Sequence, residues 1–271
     1  MIVQITTPRM ELWRIDGPFS NVPHFHEEDF QITVPIYGTC DFIQENRNYR
    51  LADGSGLVQH PNERHVFEIG EQSGVVIFKV RQAGLETFAR SESLELDLRQ
   101  QFDRTKLAGQ FHQWVSALMT GDPNNRMAQD ETEEQVFSYL CGALSGSHTS
   151  SSRAAAQAHI AAFGMDAYMS QVLEFMHAHY TDAITIEELA SIAKQSRFHF
   201  IRSFKSSFGV TPYQYVLRLR IDEAKRLLTI SDRSITDIAM RLGFSSGSAF
   251  YRAFVKSVGV TPEHYRMDRR V

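Results

Sequence analysis

The chain of 271 residues has few cysteines and no long hydrophobic run. Its two cysteines, Cys40 and Cys141, are far apart and match neither a zinc-ligand motif nor a disulfide framework. No stretch approaches the roughly 20 apolar residues of a membrane-spanning helix. The N-terminus, MIVQITTPRMELWRI, lacks the basic start and apolar core of a signal peptide. These absences argue against disulfide-rich secreted proteins and membrane proteins, and they predict a cytoplasmic location.

The net charge of −4 is unevenly distributed along the chain. Residues 165–271 contain 15 Lys and Arg against 11 Asp and Glu, whereas residues 1–164 contain 13 against 21. A basic end on an acidic body indicates that the C-terminal part alone meets a polyanion.

Residues 1 to about 95 have the pattern of a β-rich domain. Short alternating runs such as FQITVPIY (30–37) and GVVIFKV (74–80) are separated by turn clusters, including Glu45–Asn48 and Asp53–Gly56. Several short strands with turn signals at this spacing predict a small barrel or sandwich.

The period changes from about Leu94, where apolar residues begin to recur at helical spacing. The first such stripe consists of Leu107, Phe111, Trp114, Val115 and Leu118. A second helix is predicted from Glu133 to Leu144. Residues 145–164 are small and polar and predict a linker, and the chain after them is helical in pattern to its end.

One phrase occurs twice near the C-terminus. FKSSFGVTPYQY (204–215) and FVKSVGVTPEHY (254–265) share a Gly-Val-Thr-Pro core. The alignment of the two copies pairs Phe200 with Phe250, Arg202 with Arg252, Phe204 with Phe254, and Tyr215 with Tyr265. The two Phe of each copy are four residues apart and share one helix face, and the Arg between them points away from it. Each copy therefore predicts a helix with a buried aromatic face and an exposed Arg.

A shorter predicted helix precedes each of these helices, at residues 185–193 and 234–242. A short helix, a tight turn and a second helix with one buried face are typical of a helix-turn-helix unit. The second turn contains Gly243, whereas the first turn, residues 193–196, has no glycine. Pro212 begins a predicted helix to about Leu228, which would hold the two units a fixed distance apart.

Residues 184–266 resemble the DNA-binding domain of the AraC/XylS family of bacterial transcription regulators. The resemblance is carried by LASIAKQSRFHFIRSFKSSFGVTPYQY, RIDEAKRLL and ITDIAMRLGFSSGSAFYRAFVKSVGVTPEHYR. It implies a DNA-binding regulator without a cofactor, and not an enzyme. The implied partners are double-stranded promoter or operator DNA, a small-molecule effector, a second copy of the chain and RNA polymerase.

In this family the second helix of each unit enters the major groove. The positions that the resemblance assigns to DNA binding are Arg197, Phe198, Ile201, Arg202, Lys205, Ser246, Gly247, Ser248, Ala249, Arg252 and Lys256. Arg can bind guanine through two hydrogen bonds, and apolar side chains can touch a thymine methyl group. The alternatives are solvated charges at Arg202 and Arg252, and packing at Phe198 and Ile201.

The N-terminal half resembles the cupin barrel, the usual sensor domain of this family. The resemblance lies in His24-Phe-His26, Gln31, Gly38, Gly56 and Pro61-Asn-Glu-Arg-His65. It implies an effector site at His24, His26, Gln31 and His65. Metal-binding cupins hold an ion with such histidines and a Glu, but Gln31 stands where the carboxylate is expected, so no metal is assigned. A metal ion and histidines bonded to the backbone are the alternatives at this site.

The sequence therefore predicts an α+β protein of two domains. Residues 1–95 form a cupin-like β-barrel that senses the effector, residues 96–144 a helical dimerisation or connector region, residues 145–164 a linker, and residues 165–271 an all-α domain of two helix-turn-helix units joined by a linking helix. The predicted function is a ligand-controlled transcription regulator, most commonly an activator in proteins of this kind. A metal-dependent cupin enzyme with a DNA-binding appendage and a ligand-independent DNA-binding dimer are the alternatives.

Overall fold

The computed structural model describes residues 1–81, 98–120, 125–144 and 165–269, and the chain divides into two compact units. Unit 1 contains residues 1–115 and 135–150, and unit 2 contains residues 116–134 and 151–271. The predicted linker at 145–164 lies outside the described residues. Within the described ranges, no helix is both long enough and apolar enough to cross a membrane.

Unit 1 is built on two antiparallel sheets. The strands are β1 Ile2–Thr6, β2 Met10–Asp16, β3 Phe19–Ser20, β4 Asp29–Tyr37, β5 Thr39–Gln44, β6 Arg47–Ala52, β7 Ser55–Gln59, β8 His65–Ile69, β9 Gly74–Arg81 and β10 Arg99–Gln101. One sheet has the order β1-β2-β9-β4-β7-β10, and the other has the order β3-β8-β5-β6. The runs predicted at 30–37 and 74–80 are β4 and β9, which pair with each other. The β-rich N-terminal region is therefore confirmed, and its sheet continues to Gln101, beyond the predicted boundary at residue 95.

The core of unit 1 is formed by side chains from both sheets. Phe42 on β5 and Phe67 on β8 pack with Leu57 on β7 and Ile77 on β9. Along β5 the buried residues alternate with exposed ones, as a strand with one buried face requires. The arrangement is sandwich-like, because each sheet buries one face against the other.

The predicted turn cluster at Glu45–Asn48 contains a two-residue hairpin loop. Glu45 and Asn46 join β5 to β6, and their φ values are 48° and 61°. Positive φ at both loop positions is the conformation that matches the twist of the paired strands. Asn tolerates this conformation better than most residues, so this polar cluster is suited to the turn.

Two helices are shared between the units: α1 Arg104–Thr120 and α2 Arg126–Leu144. Leu107, Phe111 and Trp114 of the predicted stripe are buried on α1. The predicted start of α2 at Glu133 was wrong, because the helix begins seven residues earlier, at Arg126. The side chain of Asn125 accepts a hydrogen bond from the backbone N–H of Ala128 at 3.3 Å and so caps this earlier start.

Unit 2 is helical after residue 164. Its further helices are α3 Met165–His179, α4 Ile186–Ile192, α5 Arg197–Phe208, α6 Pro212–Ile230, α7 Ile235–Arg241, α8 Gly247–Val258 and α9 Pro262–Arg269. The pairs α4–α5 and α7–α8 are the two helix-turn-helix units, and α6 lies between them in the chain. Each pair has its own apolar core, centred on Phe200 and Phe204 in the first and on Phe250 and Phe254 in the second.

A buried guanidinium connects the two helix-turn-helix units. Arg220 on α6 is 5% exposed and donates hydrogen bonds to three backbone carbonyls. The acceptors are Tyr180 at 2.6 Å, Asp182 at 2.8 Å and Gly243 at 2.8 Å. The first two carbonyls lie in the loop before α4, and the third lies in the turn of the second unit. Arg220 thus fixes the loop before the first helix pair and the turn of the second pair to the same helix.

We expect Arg220→Met to lower the free energy of unfolding by about 3 kcal/mol, because it leaves three buried carbonyls without their charged donor. Arg218→Met is the matched control, since Arg218 is exposed on the same helix, and it should change the free energy by less than about 0.5 kcal/mol. Urea denaturation followed by circular dichroism at the helical minimum measures both. Equal stability of the two variants would contradict the role given to Arg220.

Candidate nucleic-acid interface and histidine cluster

The two helix-turn-helix units make the same corner with different residues. The residue after the first helix cap is left-handed in both, with φ of 56° at Lys194 and 75° at Gly243. The next N–H then donates to the carbonyl five residues earlier, from Gln195 to Ala190 at 2.9 Å and from Phe244 to Ala239 at 3.1 Å. This is the hydrogen bond of a Schellman helix end. The first corner therefore forms without the glycine that the second contains.

Glycine is required at the second corner for a steric reason. A Cβ atom at Gly243 would lie 2.2 Å from the carbonyl oxygen of Thr181. Such a distance is far below van der Waals contact, so any side chain would displace the loop that Arg220 holds. At Lys194 the cost is that of the left-handed conformation, roughly 1–2 kcal/mol for a residue with a Cβ.

The helices α5 and α8 begin at serine caps and end at glycines. The side chain of Ser196 accepts a hydrogen bond from the N–H of His199, and that of Ser246 accepts one from Ala249. The two helices end at left-handed glycines, Gly209 and Gly259, with φ of 71° and 85°. The repeated Gly-Val-Thr-Pro phrase therefore marks the C-terminal end of each second helix and the start of the helix after it.

The aromatic faces of the two copies are buried as predicted. Phe204 contacts Tyr215 with ring centroids 5.7 Å apart, and Phe254 contacts Tyr265 at 5.6 Å, both edge to face. Phe200 and Phe250 are also fully buried. Because this face points inward, the opposite face of each helix is the one turned away from the core.

On α8 the outward face carries a row of polar residues. Ser248, Arg252 and Lys256 are exposed and are spaced four residues apart, so they share one side of the helix. Among the other positions assigned to DNA binding, Ser246 and Gly247 are half-buried at the helix start, and Ala249 is buried.

On α5 the corresponding residues are more enclosed. Lys205 is exposed, whereas Arg197 and Arg202 are half-buried. Phe198 and Ile201 are 8% and 5% exposed. In this structure both apolar side chains therefore occupy packed positions, which is the alternative that the sequence left open for them.

The two α5 arginines contact carboxylates that the sequence did not connect with them. Arg197 forms ion pairs with Glu187 on α4 and with Asp130 on α2. The Nε atom of Arg202 lies 3.7 Å from a carboxylate oxygen of Glu134, also on α2. The arginines that the repeat pairs, Arg202 and Arg252, thus have different surroundings. A helical spacing of the acidic residues from Asp130 to Glu134 was the signal that could have indicated this contact.

Unit 1 brings three of the predicted effector residues together. The rings of His24, His26 and His65 have centroids 4.4–5.2 Å apart, and one nitrogen of each lies within 4.8 Å of the others. His24 and His65 are held opposite each other by backbone hydrogen bonds in both directions. His65 is 2% exposed, whereas His24 and His26 are half-buried.

Hydrogen bonds to carbonyl oxygens fix the position of one proton on two of these rings. The Nδ1 atom of His24 lies 2.8 Å from the carbonyl oxygen of Val22, and that of His65 lies 3.0 Å from that of Glu63. A carbonyl can only accept, so each Nδ1 carries a proton, and in the neutral ring Nε2 presents the lone pair. Burial lowers the pKa of His65 to about 4, so this ring is neutral near pH 7. Within the described part of the chain, the Nε2 atom of His65 is buried without a hydrogen-bond partner.

The fourth predicted residue, Gln31, extends the cluster along a buried polar row. Its carbonyl oxygen lies 3.1 Å from Nε2 of His26, its amide donates to Thr33 at 3.1 Å, and Thr33 donates to Gln59 at 3.3 Å. Thr33 and Gln59 were not predicted, although Thr33 lies two residues from Gln31 on the same face of β4. The cluster can exchange hydrogen bonds with a small polar ligand. Its neutral imidazoles are also suited to Zn, Ni or Cu ions.

Comparison with known proteins identifies the C-terminal part. Residues 189–268 match the family described as a helix-turn-helix domain. The probable transcriptional regulator LumQ of Photobacterium leiognathi is 27% identical over 272 residues, covering 97% of this chain and 98% of LumQ. The chain therefore carries an AraC-type helix-turn-helix domain and is similar along its length to proteins named transcriptional regulators.

Two further similar proteins are also transcription factors. The transcriptional activator RhaS of Enterobacter sp. (strain 638) is 23% identical over 261 residues, covering 93% of this chain and 90% of RhaS. The DNA-binding domain of the transcriptional factor AdpA, solved with a target DNA, is 35% identical, covers 37% of this chain and 91% of that chain, and has a TM-score of 0.36. LumQ and RhaS, which match most of this chain, are both named transcriptional regulators, and they confirm the prediction of a regulator and not an enzyme.

We expect the stability of unit 1 to fall as the pH decreases from about 6.5 to about 4 because of His65. Its folded pKa of about 4 lies below the ordinary value of 6.5, so the unfolded chain takes up the proton first. The contribution of the neutral His65 ring to the free energy of unfolding is complete above about pH 6.5, and up to about 3 kcal/mol of it is lost near pH 4. His65→Leu should remove this part of the pH dependence.

The measurement is urea denaturation followed by tryptophan fluorescence, because Trp13 and Trp114 both lie in unit 1. His112→Leu, at an exposed histidine of α1, is the control and should keep the pH dependence of the original chain. If the free energy of unfolding changed with pH by the same slope in His65→Leu and in the control, His65 would not be held in its neutral form.

Proposed function

We propose that this AraC-family regulator reads a specific DNA site with α8 and α5 and that a small molecule bound in unit 1 controls this binding. The observation that carries the proposal is the row of Ser248, Arg252 and Lys256 on the outward face of a capped helix. The position of each side chain follows from the buried aromatic face behind it. Arg252 can form two hydrogen bonds with guanine, Ser248 can contact several bases, and Lys256 can approach a phosphate.

The helix α6 suits the role of a linking helix between the two helix-turn-helix units that would bind DNA. Its 19 residues extend about 28 Å, which is of the order of one duplex turn. Thr211 caps it with a reciprocal hydrogen bond to Gln214, and Arg220 attaches it to both helix pairs. A rigid connection of this kind sets the spacing of the two half-sites that the units would read.

The histidine cluster is the proposed effector site. His24, His26, Gln31 and His65 offer both donors and acceptors, and Nε2 of His65 has no hydrogen-bond partner among the residues that the structure describes. We infer that residues 1–95 act as a cupin-like sensor barrel in which ligand binding shifts the populations of two states. A transition-metal ion is the alternative occupant, because three imidazole nitrogens are close enough to bind one ion.

The proposal also includes the oligomeric state of the protein and its effect on transcription. RhaS, which matches most of this chain, is named an activator, and we infer activation here, with RNA polymerase as the further partner. We infer a homodimer formed through residues 96–144, DNA binding by residues 165–271 and a cytoplasmic location. Light scattering that shows a monomer at micromolar concentration, with and without DNA, would contradict the dimer.

We expect Arg252→Ala to weaken binding to the cognate site by about 1–3 kcal/mol while changing binding to random DNA much less. The cognate site comes from genome-wide mapping of bound DNA, and a fluorescence anisotropy titration measures the affinity for both duplexes. Arg218→Ala, at an exposed arginine of α6, is the matched control for the loss of one positive charge.

Equal losses on cognate and random DNA would mean that Arg252 contacts phosphate alone. No loss on either duplex would contradict DNA reading by α8. The genes beside the mapped sites would also indicate which class of small molecule to test as the effector.

We expect His26→Ala and Gln31→Ala to abolish the rise in melting temperature that the effector causes, whereas His112→Ala should preserve it. The compounds to test are those that the neighbouring genes make, import or degrade. Metal analysis of the purified chain distinguishes the alternative occupant, since a stoichiometric metal that is lost in His26→Ala would favour the ion. A regulator that responds to none of these compounds and binds no metal would be a ligand-independent DNA-binding dimer.

A further inference from the structure

The first turns of α2 carry a stripe of residues that faces the first helix-turn-helix unit. Residues 126–134 belong to unit 2, with α4 and α5. Met127, Asp130, Glu131 and Glu134 are spaced three and four residues apart, so they lie on one side of α2. Met127 packs in the core of the first unit, Asp130 and Glu134 contact α5, and Glu131 contacts the start of α6; together the four are called the acidic stripe below.

Met127 anchors the acidic stripe to the apolar core of the first unit. It is 2% exposed and belongs to the same cluster as Met176, Phe204 and Val216. A buried methionine in this cluster contributes apolar contact to the same core that positions α5. The contact between Met127 and the first unit is therefore part of a packed interior and not an exposed surface contact.

The carboxylates of the stripe meet the two arginines that were assigned to DNA. Asp130 forms an ion pair with Arg197, and both side chains are 15% exposed. Glu134, whose side chain is 4% exposed, lies 3.7 Å from Nε of Arg202, whose side chain is 39% exposed. Arg197 thus donates to Asp130 a hydrogen bond that it could otherwise direct at guanine or phosphate, whereas Arg202 is held near Glu134 by ion pairing.

Glu131 occupies the N-terminal end of α6. Its carboxylate accepts a hydrogen bond from the backbone N–H of Tyr213 at 2.6 Å and is also bonded to the side chain of Thr211. Free N–H groups at a helix start bind anions, and phosphate is a common ligand there. Burial raises the pKa of Glu131 to about 7, against the lowering effect of these hydrogen bonds.

We propose that the acidic stripe of α2 is a built-in competitor of DNA that covers the reading surface of α5 and keeps the first helix-turn-helix unit closed. The inference rests on the proposed function, in which Arg197 and Arg202 contact DNA. Carboxylates take the places of phosphate and of base acceptors, and Met127 holds them there. In this state Arg252 and Lys256 of α8 are exposed, whereas Arg197 and Arg202 of α5 are half-buried against the stripe.

The consequence is that DNA binding by both units requires the acidic stripe to leave α5. The measured affinity for a two-unit site is then reduced by the small fraction of molecules in which the stripe is displaced. Any event that displaces the first turns of α2 would raise DNA affinity without any new contact to DNA. The closed state thus supplies the second of the two states that ligand control needs.

The test compares the full-length chain with the variant Asp130→Asn/Glu134→Gln in binding to a duplex selected in vitro with the unmodified chain. Removal of both carboxylate charges should tighten binding on the order of tenfold. The control Asp222→Asn/Glu263→Gln neutralises two exposed acidic residues of α6 and α9 and changes the net charge by the same amount. It separates release of α5 from the general gain of a more positive protein.

A second variant tests the same inference by a different contact. Met127→Ala removes the apolar anchor and keeps every charge, and it should also tighten binding to the selected duplex. Circular dichroism melting of both variants shows whether the helical unit still folds. If the folded acidic variant binds no more tightly than its charge control, or if Met127→Ala weakens binding, the inference is overturned.

A coupling measurement separates this inference from the proposed function. If the stripe masks Arg202, then Arg202→Ala should cost more affinity in the Asp130→Asn/Glu134→Gln background than in the original chain. Equal losses in both backgrounds would overturn the inference while Arg252→Ala could still uphold DNA reading by α8. Absence of binding to any selected duplex, by every variant, would instead reject the proposed function.

Discussion

The arrangement of the two helix-turn-helix units depends on one buried guanidinium. Arg220 donates to carbonyls of the loop before α4 and of the turn between α7 and α8, so both units are fixed to one helix. A buried cation is stable only when its hydrogen bonds are satisfied, and here three backbone carbonyls provide acceptors. The glycine at position 243 belongs to the same constraint, because any Cβ there would collide with the loop that Arg220 holds.

The two helix-turn-helix units have similar backbones but different surroundings. Both have a serine cap, a left-handed turn residue, a buried Phe pair and a terminal glycine, and the aromatic contacts to Tyr215 and Tyr265 agree closely. The difference lies outside the repeat, where the acidic stripe of α2 meets Arg197 and Arg202. Two copies of one motif can thus differ in availability, since a neighbouring helix decides which arginines are exposed.

Much of unit 2 could be predicted because its signals are local. Caps at Ser196 and Thr211, the helix ends at Gly209 and Gly259 and the buried Phe face all depend on residues within a few positions of one another. The first corner was harder, because Lys194 adopts a conformation for which the sequence gives no glycine signal. In unit 1 the histidines and Gln31 could be grouped through a resemblance, whereas Thr33 and Gln59 join them through pairing between distant strands.

The sequence by itself determined the two helix-turn-helix units, their family and the residue types on their outward faces, because short-range periodicity and capping control these features. The tertiary structure alone decided which of those residues are exposed. It buried Phe198 and Ile201, placed the carboxylates of α2 on the arginines of α5 and left a lone pair of His65 without a partner in the interior of unit 1. Burial depends on what packs against a surface, and residues far along the chain provide that packing.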